Sequence, residues 1–179
     1  MNIMIKTYFL QARHWQLCLL MVTPYAVYKL TGFGHNPMDW GFLLLYFMLV
    51  TLGWLYSVGS AANDKLAAQF KIPLLYFQLA TIVPFIYLPI MVFWGLAPMS
   101  RGEIQQPPQG LMLIHFAALF AFGYCIWYTA KQFTTLRNNE QSAFIDYYLA
   151  FMGFWFGFVG VWFLQPKISE LLHPTQRGR

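Results

Sequence analysis

Chemistry needs polar side chains held in fixed places, and this chain offers few. Of its 179 residues, six are acidic and four are histidine. They are scattered, and no paired carboxylates stand at a spacing suited to acid/base work. There is no GxSxG elbow, no Walker loop and no HExxH. The two cysteines, Cys18 and Cys125, lie in apolar stretches without CxxC or Cys/His spacing, so they read as buried thiols rather than ligands. The sequence implies no catalytic residue, no metal set and no cofactor.

What remains is a handful of polar groups inside or beside apolar blocks, where an unpaired group is expensive. His115 lies in Leu111-Met-Leu-Ile-His115, a setting that suits a heme ligand or a proton relay. The plainer reading is a hydrogen bond between helices. Asp146, in Phe144-Ile-Asp146-Tyr147, could bind a cation or proton, and it also suits a helix N-terminus. Asn63, Asp64 and Lys65 end an apolar block and could line a path or simply be solvated. Gln78 is a candidate for holding one helix to another. Pro84 and Pro89 remove backbone donors five residues apart and predict a kinked helix.

Small residues mark faces where helix backbones approach. Gly53 and Ser57 form one such pair, and Gly153 and Gly157 another, with Gly160 one turn on. Trp15, Trp162 and Lys167 read as anchors at a membrane–water interface. Aromatic residues from Phe151 to Phe163 crowd the last block and fit packing or lipid contact better than a ligand cage.

The elements that carry these residues follow from composition. The chain is 59% hydrophobic and only 9% charged, with a mean hydropathy of +0.49. Soluble domains carry about a quarter charged residues, so this surface cannot face water. Four blocks are long and apolar enough to span a bilayer, at residues 40–62, 73–97, 110–133 and 144–164. A fifth, at residues 15–31, is shorter and holds Pro24. Open strands cannot satisfy their backbone in lipid. The expected fold is therefore all-α, a polytopic transmembrane bundle of five (alternatively four) spanning helices, forming a single integral membrane domain over residues 1–179. The linkers are short, with a Gly/Asn/Pro turn after Gly32 and a Pro107-Pro108 pair before the fourth block.

A net charge of +5 without a basic run or basic–aromatic interleaving points to lipid headgroups, not nucleic acid. With five spans, Lys6, Arg13, Lys65, Lys71, Lys131 and Arg137 fall on one side. Lys29, Arg101, Lys167, Arg177 and Arg179 fall on the other. Without the terminal Arg177 and Arg179 the split is six against three, which places the N-terminus in the cytoplasm; if the first block does not span, the counts over the whole chain become seven against four.

Two stretches carry a resemblance. Ala12-Arg13-His14-Trp15-Gln16-Leu17 lies near the N-terminus, and Val159-Gly-Val-Trp-Phe-Leu-Gln165-Pro166-Lys167-Ile168 lies toward the C-terminus. Together they resemble a group of uncharacterised small multi-pass bacterial membrane proteins with an HWQL-type start and a similar ending. The group often has Pro where Phe158 stands and Asn where Ser169 stands. The resemblance implies the bacterial inner (plasma) membrane and the same architecture, and no activity. In the C-terminal stretch Pro166 is expected to stop the helix, leaving Lys167 to Leu172 as a surface segment.

The expected function is a non-enzymatic membrane component or subunit of a larger assembly, with the lipid bilayer and a homo-oligomer or membrane-protein partner. A small transporter or channel is the alternative, using Asp146, His115 and the proline kinks. A membrane heme or redox protein using His115 is the second alternative.

Overall fold

The computed structural model describes residues 3–31, 37–96, 101 and 109–172. The Gly/Asn/Pro turn at residues 32–36, the Pro107-Pro108 pair and the terminal Arg177 and Arg179 lie outside that set. Helix is the only regular structure among the described residues. In chain order the α-helices are α1 (Ile3–Gln11), α2 (His14–Thr31), α3 (Pro37–Lys65), α4 (Leu74–Ile90), α5 (Gln109–Asn138), α6 (Phe144–Trp155) and α7 (Gly157–Leu172).

Three stretches are long and apolar enough to cross a membrane: Met38–Lys65, Leu74–Trp94 and Gly110–Asn138. These are α3, α4 with its extension, and α5, and they make the chain a membrane protein. At ~1.5 Å per residue, the 29 residues of α3 and the 30 of α5 each reach ~44 Å. Both exceed the ~30 Å hydrocarbon layer, so each tilts or projects beyond it. In α4 the side chains of Leu75, Leu79, Ile82 and Ile86 are all exposed at helical spacing. In water such a stripe would drive association, whereas in a bilayer an apolar outer face carries no such penalty.

The three long helices are joined by a ladder of rings. Tyr56 of α3 stacks on Phe77 of α4, which stacks on Tyr128 of α5, with centroids 5.6 and 4.2 Å apart and planes within 6° and 11°. Phe77 reaches its neighbours because Gly59 has no side chain: a Cβ there would lie 3.0 Å from the Phe77 ring and 2.9 Å from Thr129 Oγ1. Gly53 plays the same part for α1. A Cβ at Gly53 would sit 2.7 Å from the Phe9 ring. Ser57, one turn on, is fully buried and donates to the Gly53 carbonyl at 2.7 Å.

Pro84 and Pro89 both lie inside α4. Beyond Pro89 the helix widens into a π turn over Met91–Leu96, consistent with backbone donors lost upstream. Helix α5 ends through Asn139, whose φ of 55° is the left-handed conformation that asparagine tolerates at a helix end.

Two expectations need correction. The block at residues 144–164 is not one helix. It breaks at Phe156, where the backbone leaves helical geometry (φ −85°, ψ 30°). Helices α6 and α7 then fold back on each other. A Cβ on Gly160 would overlap the carbonyl of Gly153, and Leu164 covers Gly153 with a methyl 2.8 Å from where its Cβ would be. In a straight helix residues 153 and 164 would be ~16 Å apart. The second correction concerns Pro166, which does not end the helix. It lies inside α7, which runs on to Leu172. Pro166 removes one backbone bond, but Leu164 and Gln165 before it and Ile168 and Leu172 after it are all buried. That packing holds the helix through the missing donor.

Helix α2 occupies the first, shorter block as an 18-residue helix with Pro24 inside it. It does not belong to the strongly apolar set.

Candidate functional site

Several polar side chains in the described helices bond to distant parts of the same chain, and one such junction centres on Gln165. Its Nε2 donates to the carbonyls of Phe9 at 3.1 Å and Ala12 at 2.9 Å. Its Oε1 accepts from Trp54 Nε1 at 2.9 Å. Helix α1 ends at Gln11, so those carbonyls belong to its open end, where no following turn supplies donors. Gln165 and Trp54 are both essentially inaccessible. One amide from the end of the chain thus caps the first helix and fastens it to α3.

The two stretches that carry the sequence resemblance meet here. His14 packs its ring on Trp162, centroids 4.8 Å apart. Gln16 Oε1 accepts from the Arg13 backbone N–H at 2.7 Å, which caps α2. Leu17 and Ile168 are fully buried in the core. Trp15 and Trp162 are about half exposed and Lys167 is exposed.

A second junction joins the far ends of the long helices. Asn63 Oδ1 accepts from the Ile72 backbone N–H at 3.2 Å and from Gln132 Nε2. Tyr128 donates to the Ile72 carbonyl at 3.3 Å. Lys71 Nζ donates to the Asp64 carbonyl, and Lys65 Nζ reaches the Leu172 carbonyl at 2.6 Å. That last bond fixes the end of α7 beside the end of α3. Asp64 is exposed at the rim. Four oxygens near the end of α5, Gln132 Oε1, Thr134 Oγ1, Thr135 Oγ1 and Ser142 Oγ, are buried without a partner.

His115 projects from α5 onto Tyr87 of α4, its Nδ1 2.5 Å from the phenol oxygen. Tyr87 is buried and His115 half-buried. Gln78 Nε2 donates to Tyr56 OH at 3.2 Å. Asp146 lies in the first turn of α6, and its Oδ2 accepts the Ala143 backbone N–H at 2.7 Å. It is therefore engaged with its own helix N-terminus. His115 and Asp146 stand on different helices with different partners. Cys18 and Cys125 are free thiols. Among the described residues, no three metal-ligating side chains converge.

Of the glycines in the last block, Gly153 and Gly160 touch, while Gly157 has nothing within 4 Å of its Cβ direction. The close pair is seven residues apart because the chain turns between them. A cleft of about 370 Å³ opens beside this contact, lined by Gly153, Gly160 and Phe163 and by the charged Arg137, Asp146 and Lys167.

Gln165 and Asn63 are the two residues that organise these junctions. A signal for Gln165 existed in the sequence, since an amide between Leu164 and Pro166 in an apolar block needs partners. Its partners did not, because Phe9 and Ala12 contribute backbone carbonyls, which any residue could supply. Comparison with protein-family models, curated proteins and solved structures finds no match to this chain.

Proposed function

We propose that this chain is a non-enzymatic, multi-pass component of the bacterial inner membrane that works as a subunit of a larger membrane assembly. The observation that carries this reading is the use of the intramembrane polar groups. The side chains of Gln165, Asn63, Gln78, His115 and Asp146 each bond to another part of the same chain. Groups engaged in this way support a scaffold, whereas a conduction path needs polar groups that face a channel.

In the proposed topology α2, α3, α4 and α5 each cross the bilayer, and the α6–α7 hairpin enters and leaves on one face. Helix α6 has 12 residues, or ~18 Å, which is too short to cross. The bond from Lys65 to the Leu172 carbonyl supports a return of α7 to the face where α3 ends. Without the terminal Arg177 and Arg179, a five-span chain divides its Lys and Arg six against three, and this arrangement moves Lys167 across. Lys6, Arg13, Lys65, Lys71, Lys131, Arg137 and Lys167 then share one face, against Lys29 and Arg101 on the other. Such an imbalance orients the richer face to the cytoplasm.

The test is purification in mild detergent, with mass and absorbance recorded together. The expected result is a colourless complex in which the 20.9-kDa chain pairs in fixed ratio with further copies or a second membrane protein. A band near the Soret region would favour the heme reading of His115. A stable monomer that carries flux in reconstituted vesicles would overturn the subunit reading.

The transporter reading draws on one specific observation, the unpartnered buried oxygens of Gln132, Thr134, Thr135 and Ser142. Flux that falls on Thr134→Val or Thr135→Val would support it.

A further inference from the structure

We propose that the cleft between α6 and α7 is a binding site for one anionic phospholipid, with its phosphodiester at Arg137 and Lys167 and an acyl chain along the glycine contact. The cleft measures about 370 Å³, smaller than a whole phospholipid, so it would hold the phosphodiester and part of one acyl chain while the rest of the lipid stays in the bilayer. Its walls divide by chemistry. Gly153, Phe156, Val159, Gly160, Phe163 and Leu164 make the apolar part, and Arg137 and Lys167 bring two cations to the same cavity.

The shape follows from the hairpin. Backbone contact between Gly153 and Gly160 brings the two helices together at the turn. Leu149 and Phe163, which also line the cleft, remain mostly exposed. In a bilayer those exposed faces meet lipid, so a chain can enter sideways without crossing water.

The charge follows from what each ionic group already does. Asp146 also lines the cleft, but its carboxylate accepts the Ala143 N–H and sits on the positive end of α6. Arg137 is steadied through its Nε on Asn138 Oδ1 at 3.2 Å. The three charges sum to one positive, which complements the single negative charge of phosphatidylglycerol better than a zwitterionic headgroup. Guanidinium and ammonium groups make strong charge-assisted hydrogen bonds to phosphate oxygens. The cations stand at the cytoplasm-facing end in the topology proposed above, but the site itself requires only that the hairpin contacts the bilayer.

Native mass spectrometry of the full chain tests this, with phosphatidylglycerol and phosphatidylcholine of identical acyl chains as probes. The wild type is expected to retain one phosphatidylglycerol in preference to phosphatidylcholine. Arg137→Gln and Lys167→Gln should each reduce that retention about fivefold, the ratio that ~1 kcal/mol per basic residue at a membrane surface produces. Both side chains are exposed, so the variants should fold, which an unchanged melting temperature verifies. Lys71→Gln with Lys131→Gln removes the same charge outside the cleft and should leave the preference intact. Val159→Trp, which enlarges an exposed side chain lining the cleft, should expel the lipid with both cations present. Equal retention of the two lipids by the wild type overturns the proposal. So does an unchanged preference in the Arg137/Lys167 double variant, or an equal loss in the Lys71/Lys131 control.

Discussion

The side-chain amide of Gln165 donates to the backbone carbonyl of Ala12 at 2.9 Å, across 153 residues of sequence. With its further bonds to Phe9 and Trp54, it joins α1, α3 and α7 at one buried point. The first helix of the chain is closed by a residue from the last.

Replacing Gln165 with Leu should therefore be costly despite the apolar surroundings. It strands the Phe9 and Ala12 carbonyls and the Trp54 indole N–H in a buried site. Each orphaned group carries a penalty of roughly 1–3 kcal/mol, partly relieved by local shifts. Thermal melting in detergent, followed by tryptophan fluorescence, should fall by several degrees. An unchanged midpoint would mean that α1 is held elsewhere.

The glycines of the hairpin make a sharper contrast. Gly160→Ala puts a methyl into the Gly153 carbonyl, backbone against backbone, so α6 and α7 must separate. Gly157→Ala meets nothing within 4 Å and, being helical, should be neutral or slightly stabilising, by up to about 1 kcal/mol. Expression level and monodispersity of the two variants should differ strongly. Equal behaviour would argue against the reversal at Phe156.

Asn63 and Gln132 share one hydrogen bond but are not equivalent. Asn63→Leu leaves the Ile72 N–H and the Gln132 amide without their acceptor. Gln132→Leu removes a side chain whose Oε1 already lacks a partner. The first should destabilise by roughly 1–3 kcal/mol more than the second. Paired unfolding curves of the two variants read this difference directly, and a reversed order would mean that Gln132 Oε1 has found a partner, such as a buried water.

Asp146→Asn keeps an oxygen able to accept the Ala143 N–H and should shift the melting point little. Asp146→Ala removes the cap and the favourable charge at the start of α6, a loss of about 1 kcal/mol. If the asparagine variant abolished an activity while leaving stability intact, Asp146 would have a role beyond capping.

Composition and spacing were enough to read an all-α membrane protein from this sequence. With 9% charged residues the chain cannot coat a soluble fold, and long apolar blocks in lipid must close their backbone bonds internally as helices. The second, third and fourth blocks show this, since local hydropathy and helix geometry act within each block alone. Pro84 and Pro89 likewise announced an irregular α4, because a missing donor is a property of the residue itself. The last block was legible as apolar and glycine-rich, but not as a hairpin. Its reversal depends on Gly160 finding the Gly153 backbone and Leu164 covering the same glycine, contacts that exist only after the turn is made. Pro166 read locally as a helix end, and the burial of Ile168 and Leu172 overrode it. The sequence by itself therefore determined the solvent this protein lives in and the helices that meet it, because both follow from side chains near one another in the chain. Only the tertiary structure decided which polar groups pair, that Gln165 closes the first helix, and that Arg137 and Lys167 flank one cleft, because each depends on distant residues brought together by packing.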